Sequence, residues 1–193
     1  MRLYQVETGS MSPTQDDCAF LWLYCMDGLP YAKYLPEGAP KAMPMVLALM
    51  RWDGTIGTMG GKLEVGESIR RALARESCEE ADFWLSASCE PEVLGTFADD
   101  DWRVHSYALE VSYEELLEVR AKASRARPAS AECAGWFIVP AEDYRPGYAG
   151  PQGVTAFLEN NFQSTAKLEF EALCAKIRER RRQHAAQGDP TAG

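Results

Sequence analysis

Residues 60–83 read GGKLEVGESIRRALARESCEEADF. A glycine pair leads into Glu67, and Arg75-Glu76-Ser77-Cys78-Glu79-Glu80 closes the stretch. From Ser68 onward the run lacks Pro and Gly and is rich in Ala, Leu, Arg and Glu, which predicts a helix. At 100° per residue, Ile69, Ala72 and Leu73 share one face, and Glu76, Glu79 and Glu80 continue it. An acidic, solvated helix end is the ordinary reading. It would place the carboxylates opposite the apolar stripe, whereas here the stripe itself turns acidic. Carboxylates at i, i+3 and i+4 repel one another unless cations neutralise them. Hard oxygen donors of this kind suit Mg²⁺ or Mn²⁺.

Outward from this helix, the chain alternates strand and helix signals. The apolar run Ala19 to Met26 and the run Met45 to Arg51 predict two strands. Asp53-Gly54 predicts a hairpin. Glu92 to Ala98 and Trp102 to Val111 predict an antiparallel pair joined across Asp99-Asp100-Asp101. A helix is expected over 113–127, a strand over 133–139, and a helix from Thr155 onward with Leu168, Leu173 and Ile177 on its apolar side. The Gly- and Pro-rich stretch 27–44 reads as a loop, and 140–153 reads as a long loop suited to a lid or substrate contact. The mixture predicts an α/β chain whose mixed sheet is covered by helices.

Composition narrows the classes. The 193 residues carry 46% hydrophobic and 25% charged side chains, as expected for one globular domain. We divide them into an N-terminal segment 1–17, a domain 18–186 and a flexible tail 187–193. The formal net charge of -9 argues against a generic nucleic-acid coat protein. The six cysteines form no CxxC or Cys/His metal spacing and read as reduced thiols. No signal peptide or membrane-spanning run is seen, so a cytoplasmic location is expected, or a nuclear one in a eukaryotic source.

The stretch at 60–83 resembles the Nudix box, G-x5-E-x7-R-E-U-x-E-E-x-G-U, where U is aliphatic. Gly61, Glu67, Arg75, Glu76, Glu79 and Glu80 stand at the required spacings. Ser77 departs from the aliphatic position and Asp82 from the glycine. Ser77 should weaken packing under the helix, and Asp82 must end it in a left-handed conformation. Met50-Arg51-Trp52-Asp53-Gly54, Tyr113 to Leu117 and the segment Thr155 to Phe162 extend the similarity. Together they resemble the snoRNA-decapping and inosine-diphosphatase branch of the Nudix hydrolases.

The resemblance implies a Nudix fold, an α/β/α sandwich with a mixed β-sheet. It implies Mg²⁺ or Mn²⁺ held by Glu76, Glu80 and the Gly60 carbonyl, with Glu79 as a further ligand or general base. Glu67 and Arg75 would orient these carboxylates. Such a cation neutralises phosphoryl charge and activates water. Arg51 matches an arginine the branch uses for substrate and suits phosphate, although it also reads as an ordinary strand-end arginine. Trp52 could stack on a base, although packing is its commoner role. The branch's base-holding histidine and aromatic residue fall at Cys18 and Thr58, and a glutamine of the last helix appears as Glu169. The metal machinery is kept and the base pocket is rewritten.

Weaker signals have ordinary readings. Asp99 to Asp101 reads as a solvated turn before it reads as a further ligand or base. His105 reads as a satisfied structural histidine. Arg178, Arg180, Arg181 and Arg182 read as a solvated helix end, which would also serve RNA phosphates.

The function expected is metal-dependent cleavage of a diphosphate linkage, in nucleoside diphosphates such as inosine diphosphate or in the 5′ cap of RNA. Two other readings stay open. One is an ADP-ribose or dinucleotide pyrophosphatase. The other is a non-catalytic Nudix-type protein that binds RNA or nucleotides, a class expected to lose the box carboxylates that this chain keeps. A homodimer is implied by the branch.

Overall fold

In a computed structural model of the chain, residues 3–12, 15–29, 42–124, 133–144 and 153–186 are described. Most of the 27–44 loop, most of the 140–153 loop, the end of the 113–127 helix and the 187–193 tail lie outside them.

One mixed sheet carries the fold. Its strands are β1 (Tyr4–Val6), β2 (Asp16–Gly28), β3 (Met43–Arg51), β4 (Ile56–Gly57), β5 (Met59–Lys62), β6 (Glu92–Ala98), β7 (Trp102–Glu110) and β8 (Cys133–Pro140). The order is β1-β6-β7-β2-β3-β4, with β5 paired to β2 and β8 paired to β3. β2 and β7 run parallel, from Asp16 beside Trp102 to Tyr24 beside Glu110. The other named pairings are antiparallel. Along its other edge β2 serves two partners. Cys18 to Leu21 face β5, and Tyr24 to Gly28 face β3.

Side-chain alternation along the strands divides two cores. Ala19, Leu21, Leu23 and Cys25 of β2, with Met45, Leu47 and Leu49 of β3, pack under α1 (Ile69–Ala81) and α2 (Tyr113–Ala123). Trp22, Tyr24, Val46 and Ala48 face the opposite way, under α3 (Val154–Phe157) and α4 (Ala166–Ala186). This is the three-layer α/β/α arrangement.

The box helix begins where the sequence places it. Ser68 is the N-cap and its hydroxyl accepts from the Arg71 N–H at 3.4 Å. Asp82 ends it at φ 49, ψ 35, with its N–H on the Cys78 carbonyl and the Phe83 N–H on that of Ser77. Ser77 is fully buried, and its hydroxyl turns to the Ala74 carbonyl at 3.3 Å. The polar group that replaces an aliphatic one is thereby satisfied within its own helix.

The helix expected from Thr155 onward is broken. α3 stops at Phe157 and α4 starts at Ala166. Between them the chain first closes local turns, and at Asn161 and Gln163 the backbone bonds across to β4. The Ile56 N–H reaches the Asn161 carbonyl at 2.8 Å, and the Gln163 N–H reaches the Ile56 carbonyl at 3.0 Å. Ser164 then takes φ 42. Phe157 anchors the break, with its ring 5.2 Å from that of Phe162 and 5.0 Å from that of Phe170.

Candidate functional site

Arg75 organises the acidic end of α1. Its guanidinium grips Glu67 with two bonds of 3.1 and 2.9 Å, holds Glu76 at 2.7 Å, and reaches the Lys62 carbonyl at 3.0 Å. Glu79, more exposed, lies at 3.5 Å from the same guanidinium. The Arg75 hydrogen bonds hold the Glu67 carboxyl below the usual carboxylate range. Burial pushes Glu76 the other way, above it, against the opposing pull of Arg75. The fourth carboxylate, Glu80, accepts the Gly60 N–H at 2.8 Å.

The glycine pair lets β5 lie against these groups. A Cβ on Gly61 would meet Glu76 Oε1 at 2.3 Å. One on Gly60, at φ 144, would meet the Ala19 carbonyl at 2.3 Å. Among the described residues, no three His, Cys, Asp or Glu side chains converge as a preformed cation site. The donor set still fits a hard divalent cation. Its groups are carboxylate oxygens on one helix face: Glu80 accepts the Gly60 N–H, Glu76 lies against Gly61, and Arg75 balances the charge of Glu76.

From the glycine pair a cleft of ≈ 500 Å³ runs over the N-terminal end of β2. Arg51, Gly60, Cys18 and Trp102 all line it, and the strand register sets Cys18 between the levels of Gly60 and Trp102. Of the substrate residues expected from sequence, Arg51, Cys18, Thr58 and Glu169 line it. Trp52 does not; it is 71% exposed at the β3–β4 hairpin. Neither Cys18 nor Thr58 presents a group fitted to hold a base. Burial pushes the Cys18 thiol up to about 12, so it stays neutral. The Thr58 hydroxyl is committed to the Leu21 carbonyl at 2.6 Å.

Glu169 closes the cleft from within the α4 side. It is 2% exposed and accepts from Trp22 Nε1 at 3.2 Å, Ser106 at 2.8 Å and Thr165 at 2.7 Å. Burial outweighs these three donors and raises its carboxyl above the ordinary range. A carboxyl whose folded value is raised contributes stability below its unfolded value and loses it as pH rises through the folded one. Glu169→Gln should therefore be more stable than the wild type at neutral pH, with the difference vanishing in acid. Urea unfolding of both proteins across pH checks this, and parallel curves would refute it.

Sequence reasoning misplaced Asp99. It is not a solvated turn residue but 3% exposed, and it lines the cleft. Its Oδ1 accepts the N–H groups of Asp101 at 2.9 Å and Trp102 at 2.7 Å, and its Oδ2 accepts the Ser164 hydroxyl. Burial opposes its ionisation, but these bonds prevail and hold the carboxyl low. Phe20, Lys62, Trp102 and Gln163 also line the cleft without having been singled out. The period-2 alternation of β2 could have placed Phe20 beside Cys18. Trp102 and Gln163 depend on pairings distant in sequence.

The remaining candidates lie elsewhere. His105 is buried between Asp17, at 3.0 Å, and Thr96, at 3.2 Å, which is a structural placement. The arginines of α4 are not simply solvated. Arg180 pairs with Glu92 and Glu110, Arg181 with Glu142, and Arg182 with Glu179 at 2.9 Å. All six cysteines are free. Among the described residues no helix is long and apolar enough to cross a membrane.

Comparison with known proteins agrees with this geometry. The family model described as Nudt16-like, U8 snoRNA-decapping enzyme-like, matches residues 18–180. The U8 snoRNA-decapping enzyme of Mus musculus is 31% identical over 170 residues, covering 79% of this chain and 80% of that protein. That of Homalodisca vitripennis is 33% identical over 111 residues, covering 54% of this chain; the match spans only 58% of that relative's length. Among solved structures, a mutT/nudix family protein from Listeria innocua superposes with a TM-score of 0.60, covering 88% of this chain and 98% of that one, at 15% identity. The chain belongs to the Nudix hydrolases and, within them, to the Nudt16-like, U8 snoRNA-decapping enzyme-like family.

Proposed function

We propose that this protein is a divalent-metal-dependent hydrolase of a diphosphate linkage, acting on nucleoside diphosphates or on the 5′ cap of RNA. The observation that carries this reading is the continuity of one cleft. It joins the glycine pair, against which Glu76 and Glu80 are packed, to a slot of the size that holds small ligands. The similarity to U8 snoRNA-decapping enzymes supports the same substrate class.

Glu76 and Glu80, with Glu79 beside them, would hold Mg²⁺ or Mn²⁺, together with the Gly60 carbonyl. Such an ion, when bound, neutralises phosphoryl oxygens and promotes attack by water. Arg75 fixes the rotamers of Glu67 and Glu76 through its fork of hydrogen bonds. Glu76 is thereby held against Gly61, beside Glu80, before substrate arrives. Arg51 lines the same cleft and suits a phosphate oxygen. Glu79, the most exposed of the box carboxylates on α1, would serve as the further ligand or general base.

The test is a panel of nucleoside diphosphates, ADP-ribose and capped RNA, incubated with Mg²⁺ or Mn²⁺ and with chelator. Products are identified by mass. Hydrolysis should appear with metal and vanish with chelator. Turnover confined to ADP-ribose would move the substrate to the dinucleotide class. Tight binding without any product would leave a non-catalytic nucleotide or RNA binder.

A further inference from the structure

We infer that Trp102, at the mouth of the cleft, is the wall on which the substrate's base stacks, so that base recognition has moved to β7 from the positions of Cys18 and Thr58. This rests on the nucleotide reading of the cleft.

The register of three strands sets the geometry. Gly60 lies beside Phe20, Lys62 beside Cys18, and Trp102 beside Asp16. The metal end of the cleft is thus at the level of Phe20. There the ring packs against Gly60, 2.8 Å from where a Cβ would stand, and Glu80 accepts the Gly60 N–H. Trp102 is four residues away along β2, or about 13 Å at about 3.3 Å per residue. A diphosphate held at the first point carries its nucleoside toward the second.

Neither Cys18, between these two points, nor Thr58, beyond Gly60 on the side away from Trp102, has much to offer a base. Cys18 is a neutral buried thiol, and the Thr58 hydroxyl is already donated to backbone. Trp102 has what they lack. It lines the cleft and remains 38% exposed. It is also held in place. Its backbone N–H is bonded to Asp99, and Lys62 Nζ lies 5.9 Å from the ring centroid. Lys62 is fixed in turn by Asp16 at 2.6 Å. A tryptophan whose ring lies beside a fixed cation, on backbone tied to a buried carboxylate, loses little freedom on stacking. Asp99 also binds Ser164, so the α3–α4 connection and the aromatic wall share one anchor.

Calorimetric titration with GMP, AMP, UMP and ribose 5-phosphate, in chelator, tests this without requiring catalysis. The wild type should bind the purine nucleotides more tightly than ribose 5-phosphate. Trp102→Ala should weaken GMP and AMP binding by about fivefold to about a hundredfold, the span of one base–aromatic stack. Affinity for ribose 5-phosphate should not change, and the preference for purine over pyrimidine should shrink. Trp102→Phe should stay within about threefold of wild type, because it keeps a π face. Trp102→Leu fills the space without one and should behave as the alanine variant, which separates stacking from packing if the alanine protein folds poorly. Unchanged GMP affinity in Trp102→Leu would overturn the inference, as would a wild type that binds GMP no better than ribose 5-phosphate. Trp102-dependent binding in a protein that hydrolyses nothing would remove the hydrolase reading and leave this one. Hydrolysis with binding indifferent to Trp102 would do the reverse.

Discussion

Glu80→Gln is expected to lower kcat by about two orders of magnitude or more, the scale of losing one preorganised electrostatic element. The change keeps the shape of the side chain and removes only its charge. The amide oxygen can still accept the Gly60 N–H that Glu80 now receives at 2.8 Å, so β5 should stay docked on α1. Stability should match or exceed that of the wild type, because a like charge is removed from beside Glu76 and Glu79. Steady-state kinetics with saturating Mg²⁺, read alongside a thermal melt, check both halves. A variant with wild-type kcat would remove Glu80 from the metal set. A variant that loses activity by unfolding would show its role to be architectural.

The two glycines should part ways when each is changed to alanine. On Gly60 the new methyl would meet the Ala19 carbonyl at 2.3 Å and the Phe20 Cα at 2.7 Å, and the backbone sits at φ 144. Backbone cannot swing aside, so overpacking and strain should together cost roughly 2–6 kcal/mol. For a chain of this size that lowers Tm by roughly 5–20 °C. On Gly61 the obstacle is Glu76 Oε1 at 2.3 Å, the far end of a side chain. Glu76 can rotate away, so Gly61→Ala should fold nearly normally. The displaced carboxylate would leave its 2.7 Å bond to Arg75 and its place in the donor set, and activity should fall by about tenfold or more. Melts and kinetics on the two variants decide this. Equal effects of the two on Tm would contradict it.

Much of the architecture was legible because it is written locally. The apolar run of β2 and the start of the box helix at Ser68 each lie within a few residues, and the structure places them accordingly. The residues of the cleft were harder to see. Asp99 looks like one of three equivalent aspartates until Ser164, 65 positions away, donates to it. The break after Phe157 contradicts helix periodicity, because Ile56 offers the 161–163 backbone a better partner than another helical turn. Trp102 reaches the site only through the parallel pairing of β2 and β7, which no local pattern announces.

The division of β2 into two faces also separates two kinds of evolutionary freedom. Ala19, Leu21, Leu23 and Cys25 are bound to the core beneath the box helix, and replacing them risks the whole catalytic platform. Cys18 and Phe20 look into the cleft instead. Selection can recut the ligand slot at these positions, and at Trp102 across the register, without disturbing the carboxylates on α1. Substrate choice on this scaffold can therefore drift in small steps while its chemistry stays fixed.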